Sequence, residues 1–340
     1  MRTAYNKTLF LIASISTLTL SACGGGGGDT NPGIPVPTTG VSLTTTNAIP
    51  VGATVLGSVD TVQGASSGVS VLAGVSINNQ PGHFNYADFI VRELSQAVAS
   101  DALPGGNATG VAVQATLDCS TSGTVSVSGD MADPNTLTAG DSLTFSFNSC
   151  NVDGYVTNGG MALTVSYVTP NFTGFEPFTL DVDVVLHSLS VNDSGNSYSA
   201  NGDMSLLIDV DSVGNESVDL SGSSLATTTS TDGTLLSNYQ YDMNYATNAD
   251  FSVSLQGTVA STKIDGAVSF TTLTNFTGND NVYGGYPTAG ELHITTTADS
   301  SQAWVIALSD GTNVQIDLDT NGDDTVDTTV MTTWTELESL

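Results

Sequence analysis

Residues 316–327 read IDLDTNGDDTVD, an alternation of oxygen-bearing side chains of the kind that surrounds a hard cation. On that reading Asp319, Asn321, Asp323, the Thr325 carbonyl and Asp327 supply ligands in the order of a calcium loop. Two positions depart from it. Asp324 stands where the sharp turn needs glycine, and Val330 where a bidentate glutamate should close the shell. The competing reading is a two-residue hairpin turned at Asn321-Gly322, flanked by the alternating QIDLD and DTVDTTV. That register sets Asp319 against Asp324, two like charges whose opposition invites a cation or a well-solvated tip. An earlier segment, IDVDSVGNESVD at 208–219, has Val213 in the place of Asn321, so it keeps a glycine turn and loses the ion site. The expectation is a hairpin in both segments, with calcium as the one candidate cofactor, confined to the later segment.

Other constellations say less. GASSG at 64–68 matches the nucleophile pattern GxSxG with Ser66 at its centre, but the following GVSVLAGVSI reads extended where that chemistry needs a helix. His187 and His293 fall at matching places in two similar segments and His83 lies in a turn; no pair has metal-ligand spacing. Nothing singles out a pair among the 34 acidic residues for glycoside hydrolysis. The expectation is therefore a protein that is not an enzyme.

The elements that must hold these residues begin with MRTAYNKTLFLIASISTLTLSAC. Two cations precede a short apolar run and small residues, which is a secretory signal and too short to span a bilayer. Leu20-Ser21-Ala22-Cys23 resembles the lipobox of bacterial lipoproteins, which implies cleavage after residue 22 and acyl chains on Cys23. Gly24, rather than aspartate, next to the cysteine points in Gram-negative members to the outer membrane. Residues 23–46, with GGGGG and DTNPGIPVPTTG, form a tether, and 47–340 a single β-rich domain.

Without residues 1–22, Arg92 and Lys263 stand against 34 acids, a net charge of −32. That excludes nucleic acid as a partner and leaves the acyl chains, not a basic patch, to hold the membrane. With Cys23 lipidated, Cys119 and Cys150 most simply form one disulfide in an oxidising compartment.

Two helices are expected, at about 47–63 with Asn47 as cap and a stripe of Val51, Val55, Val59 and Val62, and at about 84–100 with Tyr86, Ile90, Leu94 and Val98. From Val111 onward the period is two, in TVSVSG, SLTFSF, ALTVSY, FTLDVDVVL, FSVSLQG, AWVIALS and others. The fold class is mainly all-β: a large antiparallel meander of ten to fourteen strands, curled or barrel-like, with one or two short N-terminal helices packed on it. NFTG at 171–174 and 275–278, Leu-His at 186 and 292, and Ile-Asp-x-Asp at 208 and 316 suggest a duplication over 171–219 and 275–327.

The pattern as a whole resembles Gram-negative outer-membrane lipoproteins, with a structural or binding role and an envelope partner. A helix before a long meander also resembles the half-open barrels of lipoprotein carriers. That resemblance implies a hydrophobic ligand held between the sheet and a face of Tyr86, Ile90, Leu94 and Val98. A third reading is calcium-dependent adhesion or glycan binding.

Overall fold

The structure is a computed structural model that describes residues 34–58, 111–133, 136–152, 155–169, 177–193, 196–282 and 285–340. After an extended lead, α1 occupies 48–58. The strands follow as β1 (Val111–Asp118), β2 (Ser122–Met131), β3 (Ser142–Val152), β4 (Tyr155–Val168), β5 (Phe178–Asp193), β6 (Asn196–Val210) and β7 (Glu216–Thr228). Next come β8 (Gly233–Tyr245), β9 (Asp250–Ser261), β10 (Gly266–Asn279), β11 (Ala289–Thr295), β12 (Gln302–Ala307), β13 (Asn313–Asp319), β14 (Thr328–Thr333) and α2 (Trp334–Glu338). All fourteen strands lie in one antiparallel sheet in chain order, an open meander in which β1 and β14 do not meet.

Alternation sets the core. In β5, Leu180, Val182, Val184 and Leu186 are buried while Asp183, Val185 and His187 are exposed, and β3, β11 and β12 repeat the pattern. The period then breaks, and the break is systematic. Ser149, Ser188 and Asn238 take positive φ in mid-strand, and register shifts at these points cross the sheet from β2–β3 to β8–β9. Each is a bulge that inserts one residue, so the next buried position is three residues on: Phe147 to Cys150, Leu186 to Leu189, Leu236 to Tyr239. The inserted residue shifts the sequence parity of the buried positions by one, while β4, unbulged at this line, keeps Thr157, Met161, Leu163 and Val165 buried at a single parity.

Neighbouring strands must admit these bulges without a side chain. A β-carbon on Gly123 would lie 2.0 Å from the Ser149 carbonyl oxygen, and one on Gly159 would lie 2.1 Å from that of Ser188. The line of bulges and glycines bends the sheet.

The helix α1 lies on the buried face. Residues 51–55 are all buried, more than one full turn, so this part of the helix is covered on every side instead of resting on one apolar stripe. At Gly52 a β-carbon would stand 3.4 Å from Ile316 of β13 and 3.7 Å from Val305 of β12, and Ser58 reaches the Tyr241 hydroxyl of β8 at 3.1 Å. Asn47 is not the forward cap expected of it. Its side-chain oxygen instead accepts from the Thr44 N–H and hydroxyl, bracing the turn before the helix.

The second short helix, α2, had no counterpart in the expectations. Its signal is the box Thr333-x-x-Glu336, in which the Thr333 hydroxyl accepts from the Glu336 N–H at 3.1 Å. The duplication does not extend to the strand plan. His187 and Ile208 occupy adjacent strands, β5 and β6, whereas His293 and Ile316 lie on β11 and β13 with β12 between. A similar stretch of chain is spent on one long hairpin in the first segment and on two short ones in the second.

Candidate functional site

The segment IDLDTNGDDTVD at 316–327 is not a two-residue hairpin. Thr328 pairs with Leu318, so residues 320–327 form a loop of eight residues, closed where the Asp327 N–H donates to the Leu318 carbonyl at 2.8 Å. Asp319 has the parity of the outer face, yet it is 0 % exposed because the loop folds back over it. Its carboxylate organises the loop. Oδ1 accepts from the N–H of Gly322 at 2.7 Å and of Asn321 at 3.1 Å, and Oδ2 from the N–H of Asp324 at 2.8 Å and the Gln302 amide at 3.0 Å. Asp319 and Asp324 are thus not opposed charges in a ladder. The Asp324 backbone donates to Asp319, and Asp324 with φ 62 and Gly322 with φ 75 provide the left-handed turns this wrapping needs. Burial alone would push the Asp319 carboxyl up; the donations from Gln302, Gly322, Asp324 and Asn321 outweigh it and hold the group below the usual carboxylate range.

The carboxylates of Asp323 and Asp327 are also engaged within the loop. Asp327 accepts from the Thr320 N–H at 2.9 Å and the Thr320 hydroxyl at 2.7 Å, and Asp323 from the Thr325 N–H at 2.9 Å. Among the described residues no group of three or more His, Cys, Asp or Glu converges to hold a metal ion.

This construction recurs. Asp211 accepts from the N–H groups of Val213 and Asn215, Asp310 from those of Thr312 and Asn313, and Asp203 from those of Ser223 and Ser224. The carboxyls of Asp211, Asp310 and Asp203 are all held low: by Asn215 for Asp211, by Asn313 for Asp310, and for Asp203 by donations from Ser223 and Ser224 that outweigh burial. The reason lies in composition. Lys263 is the only lysine or arginine among the described residues, so backbone dipoles and hydroxyls take the place of salt bridges.

Beside the Asp319 loop lies a group that only the strand pairing assembles. His293 of β11 pairs with Trp304 of β12, and their rings stack at 5.1 Å and 11°. The His293 Nε2 lies 2.8 Å from Gln302 Oε1, and Gln302 donates through Nε2 to both Asp319 and Asp324. Nothing in the spacing of SSQAWV or ELHIT marks this relay. His187 is exposed on the outer face of β5.

Two adjoining open grooves, of ≈ 410 and ≈ 460 Å³, share Asp250 and Phe251 near the ends of β6 to β10. Among their carboxylates, Asp209 accepts from the Thr179 hydroxyl and Asp250 from the side-chain amides of Asn248 and Asn279. On the outer face Asp219 stands opposite Asp242 in the β7–β8 ladder. Asp242 accepts from Gln240 at 3.0 Å and Ser254 at 3.1 Å, and the Asp219 carboxyl is pushed up by burial and then by the neighbouring Asp242.

Cys119 and Cys150 form the expected disulfide, 31 residues apart in sequence, which ties the end of β1 to β3. Cys23, Ser66, His83, residues 59–63 of the first expected helix, and the second helix with Tyr86, Ile90, Leu94 and Val98 lie outside the described residues. No family model, curated protein or solved structure matches the chain.

Proposed function

We propose that this protein is a lipid-anchored module of the cell envelope with a non-catalytic structural or binding role, held at the outer membrane by acyl chains on Cys23. One observation supports the reading most. The face turned away from the core carries an unbroken cross-strand row, Asp130, Ser142, Thr164, Asp183, Ser205, Ser221, Gln240 and Gln256, one residue from each strand β2 to β9. Seven strand spacings make an arc of about 34 Å. None of its residues is buried and none is cationic. Such a surface offers many weak hydrogen bonds over a wide area, which suits a broad polar contact better than a reaction at one point.

The carrier reading draws on one feature, α1 lying against the buried face of β8, β12 and β13. Two measurements separate the readings. Cys23→Ser should move the protein from the membrane fraction to the soluble one, and unchanged fractionation would overturn the anchor. Organic extraction of the purified protein should yield no stoichiometric acyl ligand beyond the anchor itself; one equivalent of lipid per chain would establish the carrier in its place.

A further inference from the structure

We propose that His293 is the proton-sensitive end of a latch, relayed by Gln302, that tightens the 320–327 loop as the medium acidifies. The hydrogen positions follow from the partners. Gln302 uses its amide nitrogen on Asp319 Oδ2 at 3.0 Å and Asp324 Oδ1 at 2.8 Å, so its oxygen can only accept. The facing His293 Nε2 therefore carries hydrogen and donates across 2.8 Å, and Nδ1 is the nitrogen that takes up a proton.

The charged groups that the strand pairing and the relay place near the ring are acidic. Glu291 lies two residues away on β11, Asp317 of β13 pairs with Trp304 on the far side of the indole, and Asp319 and Asp324 sit behind Gln302. The residue across β10 is Thr271, which is neutral. The stacked indole of Trp304 adds a favourable cation–π contact. Charging His293 strengthens its donation to Gln302, polarises the amide and strengthens both bonds to the carboxylates. Asp319 is the acceptor around which Asn321, Gly322 and Asp324 are wound, so a tighter Gln302 means a tighter loop. A unit charge acting across about 7 Å of part-wet protein changes an opening equilibrium on the order of threefold to tenfold.

The test is amide hydrogen exchange on the mature protein, comparing protection in a peptide covering 319–327 at about pH 8 and about pH 5.5, corrected for the intrinsic rate. Protection should rise on the order of threefold to tenfold in acid. His293→Gln, which keeps a hydrogen-bonding group, and His293→Phe, which keeps a ring against Trp304, should both be flat across that range. Gln302→Met should lower protection at both values and remove the pH response. The loop at 211–215, built on Asp211 in the same manner and with no histidine relay among its hydrogen bonds, is the internal control and should not respond. Wild-type protection that is unchanged or falls in acid, a pH response that survives in both His293 variants, or an equal response at 211–215 would each overturn the latch.

Discussion

The bend in the sheet can be tested with two glycines that have nearly the same positive φ and differ in their surroundings. Gly159 has φ 92 and Gly140 has φ 93. At Gly140 a β-carbon meets nothing within 4 Å, whereas at Gly159 it would lie 2.1 Å from the Ser188 carbonyl oxygen and 2.9 Å from the Leu189 Cα. Alanine at either position bears the left-handed penalty, about 1–2 kcal/mol. At Gly159 the β4–β5 pair must also open at the bulge. One or two ladder bonds at about 1 kcal/mol each are then lost, with part of the packing of buried Leu189. The expected costs are about 1–2 kcal/mol for Gly140→Ala and about 3–5 kcal/mol for Gly159→Ala. Urea unfolding of the mature protein, followed by far-ultraviolet circular dichroism, measures both. Equal losses would refute the reasoning, since conformation alone would then set the cost and the bulge line would not be sterically fixed.

Asp219→Asn is expected to stabilise the protein at neutral pH. A carboxyl raised on folding, by burial and then by Asp242, contributes stability fully below its unfolded pKa of about 3.9 and loses it as pH rises through the folded value. The gain in Tm should therefore shrink toward zero below about pH 4, and a gain independent of pH would contradict the assignment. Asp319→Asn should act in the opposite sense and locally: proteolysis within 320–327 should rise while the global Tm stays close to wild type. Because the Asp319 carboxyl is held low, its contribution is present above the unfolded pKa and lost as pH falls through the folded one, so wild type should match the variant only in strong acid. Wild-type protection already lost at about pH 6 would sink that account.

Much of the architecture was legible because a period of two leaves little choice. FTLDVDVVL can bury Leu180, Val182, Val184 and Leu186 on one face only as a strand, and a chain of such segments joined by Gly, Asn and Asp turns becomes a meander. The pairing of Cys119 with Cys150 was legible as well, by the scarcity of cysteine. The bulges were not. Asn148-Ser149 and His187-Ser188 look like ordinary polar interruptions, and their meaning depends on Gly123 and Gly159 in the neighbouring strands. The Asp319 loop misled for a related reason. Alternation places Asp319 among the exposed residues and the Asn-Gly dipeptide suggests a tight turn, but five donors near one carboxylate favour a wider loop that buries it.

The sequence by itself determined the strand composition, the acidic charge and the disulfide, because alternation, ionisable residues and cysteine count are properties of the chain read in order. Tertiary structure alone decided where the sheet bends, that the 51–55 turn of α1 is covered on every side, and that His293, Gln302 and Asp319 form one hydrogen-bonded line. Those features arise between residues on different strands, whose register no single segment contains.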